Sequence, residues 1–311
     1  MEYSGLTTKY PVNRPLTELD RARQLRQHER LDVALVYQLN VIKVDEQTLE
    51  LVDKYYALKG AMTFAMAAIG FLFALFLADV TIFSATTPGR MAEDWPVLLA
   101  FYAMVAPLFA VLYWGFRREG YAFTHYPICF DRIALMVHVF RLNGTVLSVP
   151  WDEVFFCLDK GHMNFWNVRG HVLASDKVTV LETFSLSVTA GDAAKEVALG
   201  FWEMVRGYME DGPEPAMNLA QILLPIADQR ESFSFGFHRM HAVASGESVL
   251  AVLLFGVISA CFAPFRWLAM RTSKIPQWPA DVRASFGKLG KPSAKASHKT
   301  KSESRPRQAE A

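Results

Sequence analysis

The chain has 311 residues, enough for one good-sized domain with anchoring elements or for two small domains. Hydrophobic residues make up 52% of it and the mean hydropathy is +0.15, which is high for a soluble protein and low for a polytopic transporter. The 32 Lys and Arg against 31 Asp and Glu hide an asymmetry: residues 117–247 hold 11 basic and 16 acidic groups, whereas residues 271–311 hold 10 and 3. Only the tail is drawn to acidic lipid or nucleic acid, and nucleic-acid binding is not expected of the chain.

Residues 1–59 mix charge and aliphatics, with no signal peptide, and are read as a cytoplasmic N-terminal segment. Within them, residues 16–39 are expected to form a helix with Arg21, Arg23, Arg26 and Arg30 towards one side. Residues 60–78 are then free of charge for 19 positions, and residues 95–116 for 22. Each approaches the length that crosses a hydrocarbon core of about 30 Å at about 1.5 Å per residue. Joined by a short stretch containing Thr-Thr-Pro-Gly, they predict a transmembrane hairpin over 60–116. Gly70, Ala74 and Ala78, with Ala106 and Ala110, have the spacing of a close helix contact. Lys43, Lys54, Lys59, Arg117, Arg118 and Arg132 flank the hairpin and Arg90 alone lies in its loop, so its two ends are expected in the cytoplasm.

From Tyr121 the pattern changes to short β-rich runs at 127–131, 133–140, 145–149, 154–158, 165–168, 171–174 and 178–188. Asn143-Gly144 is the strongest turn signal among them. A helix is expected over 192–211, capped by Asp192 and ended by Gly212-Pro213. Val197, Phe201, Met204, Val205 and Tyr208 form its apolar face, while Lys195, Glu203, Arg206 and Glu210 fall elsewhere. The fold class is therefore α+β: a helical hairpin, a small antiparallel β-domain over 117–213 closed by an amphipathic helix, and a third hydrophobic helix over 248–270. Residues 214–247 connect, and residues 271–311 form a basic, disordered tail. If 248–270 crosses the membrane fully, the charge rule and the tail's position conflict. A true third span is favoured over a re-entrant or interfacial segment.

His238 and His241 are three apart and are half of a metal site at most, so neither a metal nor another cofactor is expected. Nothing resembles a nucleophile elbow, a phosphate loop or a zinc-protease helix, and an enzyme is not expected. The three cysteines, Cys129, Cys157 and Cys261, read as reduced thiols. At the start of a strand, Trp151 with Asp152 and Glu153 suits either a partner-binding edge or a Trp anchor inside the barrel.

Three segments, Pro-Ile-Cys-Phe-Asp-Arg (127–132), Val-Pro-Trp-Asp-Glu-Val (149–154) and Arg-Gly-Tyr-Met-Glu-Asp-Gly-Pro (206–213), together resemble a family of proteobacterial membrane proteins of unknown function. The resemblance covers residues 57–234, and the first two segments also look like strand boundaries in bacterial pleckstrin-homology-like membrane proteins. That family is often associated with type VI secretion and polymorphic-toxin loci. The resemblance implies a multi-pass inner-membrane protein that acts by binding, as an immunity or accessory protein. The alternative is a structural or signalling docking component of a membrane assembly. The partners so implied are the lipid bilayer and a cognate toxin or secretion-system protein, with Trp151, Asp152, Glu153, Arg206, Tyr208 and Glu210 as candidate partner-binding residues.

Overall fold

The computed structural model describes residues 10–160, 166–186, 195–244 and 249–287. From the N-terminus come β1 (Arg14–Pro15), α1 (Glu18–Ala22), β2 (Gln24–Leu25), β3 (Val41–Val44) and β4 (Thr48–Leu51). Two long helices follow, α2 (Ala61–Thr86) and α3 (Arg90–Gly120). The chain returns through β5 (Ile128–Asp131), β6 (Met136–Phe140), β7 (Val146–Pro150), β8 (Val154–Lys160), β9 (Trp166–Leu173) and β10 (Thr179–Ser185). Next come α4 (Lys195–Glu210), α5 (Glu214–Leu219), α6 (Phe233–Ala244), α7 (Val249–Thr272) and α8 (Ala280–Gly287). The fold is mixed α and β, with two five-stranded antiparallel sheets ordered β3-β4-β5-β6-β7 and β1-β10-β9-β8-β2.

The sheets share one core with α4. Phe130, Trp151, Phe156, Val168, Phe201, Trp202 and Tyr208 are all buried in it. The expected runs at 165–168 and 171–174 are one strand, β9, continuous through Gly170. A side-chain carbon on Gly170 would lie 2.4 Å from the Phe184 ring, so this glycine admits a neighbour and does not break the strand. At the predicted turn, Gly144 alone takes positive φ (+85°), and the Asn143 Oδ1 accepts the Thr145 N–H at 3.0 Å. Positions 187–188 and the Asp192 cap lie outside the described residues.

The N-terminal segment departs most from expectation. Of the helix expected over 16–39, Glu18–Ala22 alone forms, capped by Thr17 and Asp20 in a reciprocal capping box. The rest supplies four strands to the two sheets and a strap over α4. Along that strap the Leu31 N–H donates to Glu203 and the Val36 N–H to the Gly200 carbonyl. The strap covers the face of α4 expected to meet water, so Glu203 and Arg206 are 3% and 2% exposed and pair with each other at 2.6 Å. A burial pattern read from one helix alone cannot register a cover that arrives from 170 residues away.

Among the described residues, three helices are long and apolar enough to cross a membrane: Tyr56–Thr86, Arg90–Gly120 and Val252–Thr272. The first two form the expected antiparallel pair, whose contact differs from the predicted one. Gly70 does face α3, against Leu112, but Ala74, Ala78, Ala106 and Ala110 are exposed. The buried seam of α3 is instead Leu98, Val105, Leu112, Gly115 and Glu119. This pair is inserted between two strands that are themselves neighbours, because β4 and β5 pair from Thr48↔Asp131 to Leu51↔Ile128.

The third helix runs past Pro264 to Thr272, antiparallel to α2. Phe64 meets Phe262 and Phe265 edge-on, and a side-chain carbon on Gly60 would lie 2.5 Å from the Arg266 Cα. Gly60 also has φ +98°, so the turn into α2 requires glycine twice over. Its C-terminal end is therefore at the sheets: Lys274 exchanges backbone hydrogen bonds with Ala122 and Thr124, and Trp278 packs on Phe140 and His138. The expectation of a disordered tail from 271 is thus corrected for residues 273–287, which lie against the sheets and include α8. The ring of α6 residue Phe235 and the buried Arg239 show how α6 brings the chain in from the same side, with Arg239 donating to the Leu39 carbonyl.

One buried ion pair joins these parts. Arg266 and Glu231, each 2% exposed at the side chain, form two hydrogen bonds of 2.7 Å. Arg266 also donates to the carbonyls of Tyr56 and Lys59, and the Tyr56 hydroxyl donates to Glu231. Arg266→Ala should cost about 3–5 kcal/mol in thermal unfolding of the detergent-solubilised protein, because Glu231 is left buried without its partner. The paired change Arg266→Met with Glu231→Leu should cost markedly less than the single one.

Candidate functional site

A cleft of about 460 Å³ opens where α2 and α3 meet the sheets. Its walls are mostly apolar and aromatic: Leu58, Ala61, Met62, Trp114, Phe123 and Leu142. Polar groups converge on it from Asp53, Lys59, Arg118, Glu119, Thr124 and His125. That combination, an apolar body with a few placed polar groups, is the usual composition of a small-ligand site.

Each polar group has a local cause. Glu119, on the last turn of α3, accepts the Gly60 N–H at 2.8 Å and the Thr63 N–H and hydroxyl at 2.7 Å each. It thus caps the start of α2 across the helix pair, satisfying N–H groups that the helix itself leaves free. Lys59 donates to the carbonyls of Glu119 and Phe123 at 2.7 and 2.9 Å, joining α3 to the segment that returns to β5. Asp53 accepts the backbone N–H groups of Tyr126 and Tyr55 at 2.8 and 3.0 Å. Burial nevertheless pushes its carboxyl up from the usual range. Burial first, and then the Lys59 charge, push His125 down to about 3, so it is a neutral ring bonded to the Thr124 hydroxyl at 3.0 Å. Burial also lifts Tyr126 to about 12.

The six residues singled out in the sequence divide into two groups. Trp151, Arg206 and Tyr208 are inside the fold and cannot meet a partner at the surface. Trp151 is 0% exposed, at the corner where β7 passes into β8 from one sheet to the other, packed on Phe130, Phe156 and Trp202. Tyr208 donates to the Asp45 carbonyl at 2.9 Å. Asp152, Glu153 and Glu210 do reach water. Glu210 accepts the Trp151 indole N–H at 2.6 Å and meets His28 at 3.0 Å, and Asp152 lies 3.5 Å from the same imidazole. The Glu210 carboxylate, followed by Asp152, raises the His28 pKa. His238 is exposed on α6, and the side chain of His241 lies outside the described residues.

The cleft itself escaped the sequence reading. Its residues come from 53–62, 114–126 and 142, and none forms a spaced motif. The one available signal was the charged cluster Arg117, Arg118 and Glu119 at the end of an apolar run, read only for orientation.

His125 gives the cleft a pH signature. Its folded pKa lies below the unfolded value of about 6.5, so the unfolded chain binds the extra proton. The stability it contributes is complete above about pH 6.5 and is lost as pH falls towards 3. Unfolding in detergent should show a loss of roughly 3 kcal/mol from this group by about pH 4. His125→Gln should flatten that part of the profile.

No curated protein and no solved structure matches the chain. A family model described as a family of unknown function, DUF6708, matches residues 103–286, from within α3 to within α8, and so takes in part of the cleft, both exposed acids beside Trp151, and the Arg266–Glu231 pair. The chain belongs to this family of unknown function.

Proposed function

We propose that this chain is a multi-pass inner-membrane protein that acts by binding, with its β-unit held at the cytoplasmic face. The observation that carries the reading is where the basic residues gather. Lys54, Lys59, Arg117, Arg118, Arg266, Arg271 and Lys274 all lie at the sheet end of the apolar helices, and Arg90 lies at the far end of the α2–α3 pair. The positive-inside rule then favours one orientation for all three helices. The large apolar side chains along them support a lipid-facing role: Phe71, Leu72, Leu75, Val97, Leu99, Leu250, Leu253 and Val257 are each more than half exposed.

Two antiparallel sheets followed by one long helix packed on them favour reading the β-unit as pleckstrin-homology-like. The role we propose is that of an immunity or accessory protein of a type VI secretion or toxin system, following the resemblance of the three segments at 127–132, 149–154 and 206–213. A binding unit rooted in two neighbouring strands, one on each side of the helix pair, is fixed at the lipid surface. That fixed position suits a protein that must meet its target at the membrane, because tethering raises the local concentration of the binding face. The docking-component reading is favoured by the exposed acids Asp152, Glu153 and Glu210 beside a buried Trp.

Two measurements test this. Alkaline phosphatase fused at Gly89 should be active and a fusion at Gly144 inactive; the reverse would place the β-unit outside. Co-expression with a toxin whose gene adjoins this one should restore growth in proportion to the amount of this protein, and that toxin should be recovered with it from detergent; a locus without a toxin gene would itself count against the immunity role. Unchanged self-intoxication after deletion of the gene, with no toxin recovered, would remove the immunity role and leave the docking component.

A further inference from the structure

We propose that Asp20, Cys157 and His171 form a zinc site on the outer face of the second sheet. One ligand atom from each lies within 4.8 Å of the others. Strands β8 and β9 pair with Phe155 opposite His171 and Cys157 opposite Arg169, so Cys157 and His171 are diagonal neighbours on one face. The opposite face carries Val154, Phe156, Leu158 and Val168 into the shared core. Helix α1 lies over the outer face and brings Asp20 to the pair, so the site joins the N-terminal segment to strands more than 130 residues later.

The separation of two of the three ligand atoms is that of neighbours on one metal. The Cys157 Sγ and His171 Nε2 are 3.5 Å apart. Tetrahedral zinc, with Zn–S of about 2.3 Å and Zn–N of about 2.0–2.1 Å, holds sulfur and nitrogen about 3.5 Å from each other. The other ring nitrogen, Nδ1, is 2.8 Å from the hydroxyl of Thr183, which sits opposite His171 in the β9–β10 pair. When this hydroxyl accepts the Nδ1–H, the ring is in the tautomer whose Nε2 is free for a metal. On Asp20, the bonds from Arg14 and from the Thr17 N–H both end on Oδ2, at 2.9 and 3.0 Å, which leaves Oδ1 to turn to the ion.

A thiolate, an imidazole and a carboxylate are a donor set that zinc takes readily, with water as the fourth ligand. Binding replaces the Cys157 S–H proton by the metal and releases that proton to solvent; Asp20 enters as the carboxylate and His171 as the neutral ring. The thiolate and carboxylate together balance the two charges of the ion. Arg14 on Asp20 and Arg169, paired with Asp159 at 2.6 Å, are the neighbouring charges. His171 and Cys157 are both 0% exposed, and Asp20 is the partly open member, so the water would sit on the α1 side.

The test uses the full chain in detergent. After incubation with zinc and gel filtration, metal analysis should find about one zinc per chain. Cobalt(II) in its place should give the near-ultraviolet thiolate-to-metal band together with the intense visible bands of four-coordinate cobalt. Cys157→Ser should abolish the thiolate band, and Thr183→Val should weaken zinc binding 10–100-fold while leaving the fold in place. Chelation should lower the melting temperature, and zinc should restore it. A folded wild-type chain that retains no metal and shows no thiolate band would overturn the proposal and reduce the cluster to a buried S–H···N pair. Undiminished binding by Thr183→Val and His171→Gln would overturn it equally, by placing the metal elsewhere.

Discussion

The buried pairing of Arg266 with Glu231 is the constraint from which the arrangement of the apolar helices follows. A guanidinium and a carboxylate withdrawn from water are costly unless every donor and lone pair is used. Here the arginine fork spans Glu231, and its remaining nitrogen reaches carbonyls just before α2. Those carbonyls belong to the short turn Tyr56–Leu58 and to Lys59, so the entry of α2 is set by the exit of α7. Glycine at position 60 removes the side chain that would keep the two backbones apart. Moving α7 by one turn would strand a charge in the interior, which gives the junction one register where apolar packing alone would tolerate several.

Glu119 plays the complementary part on α3. Its carboxylate supplies the N-terminal cap that α2 lacks, since Gly60 has no side chain to offer. With Ser273 donating to the Glu119 carbonyl, all three apolar helices are held at one end by polar contacts, and apolar packing is left to order the remainder. This end is also where the cleft lies. Several of its polar groups, Lys59 and Glu119 among them, are thus engaged in holding the helices.

The sequence made the long apolar helices and the strands between 128 and 160 legible because each is several residues long with its own period. The two-residue strands β1 and β2 have no period to read, and they exist because β10 and β8 offer edges to them. The polar face of α4 was misjudged for a related reason: Glu203 and Arg206 look like a solvated stripe until the strap over residues 26–40 is placed above them. Trp151 was visible as a residue with two possible uses, and its position at a corner between sheets decides for the anchor. The site residues that went unseen meet only in the fold: those of the cleft where α2 and α3 reach the sheets, and Cys157 and His171 through strand register with Asp20 brought to them by α1.

The insertion of α2 and α3 between β4 and β5 has a consequence for biosynthesis. Two of the five strands of one sheet, β3 and β4, are complete when Leu51 is made, yet the next neighbour β5 is not synthesised until both apolar helices have emerged. An unpaired β4 edge is therefore present throughout the period in which the helices are made, and unpaired edges invite aggregation. Once α2 and α3 close on each other, the ends of the gap lie side by side, and the entropy of joining Leu51 to Ile128 has already been met by the helix pair. Completion of the sheet thus reports that the helices have paired, and a chain that fails in the second step is left with an open edge in the first.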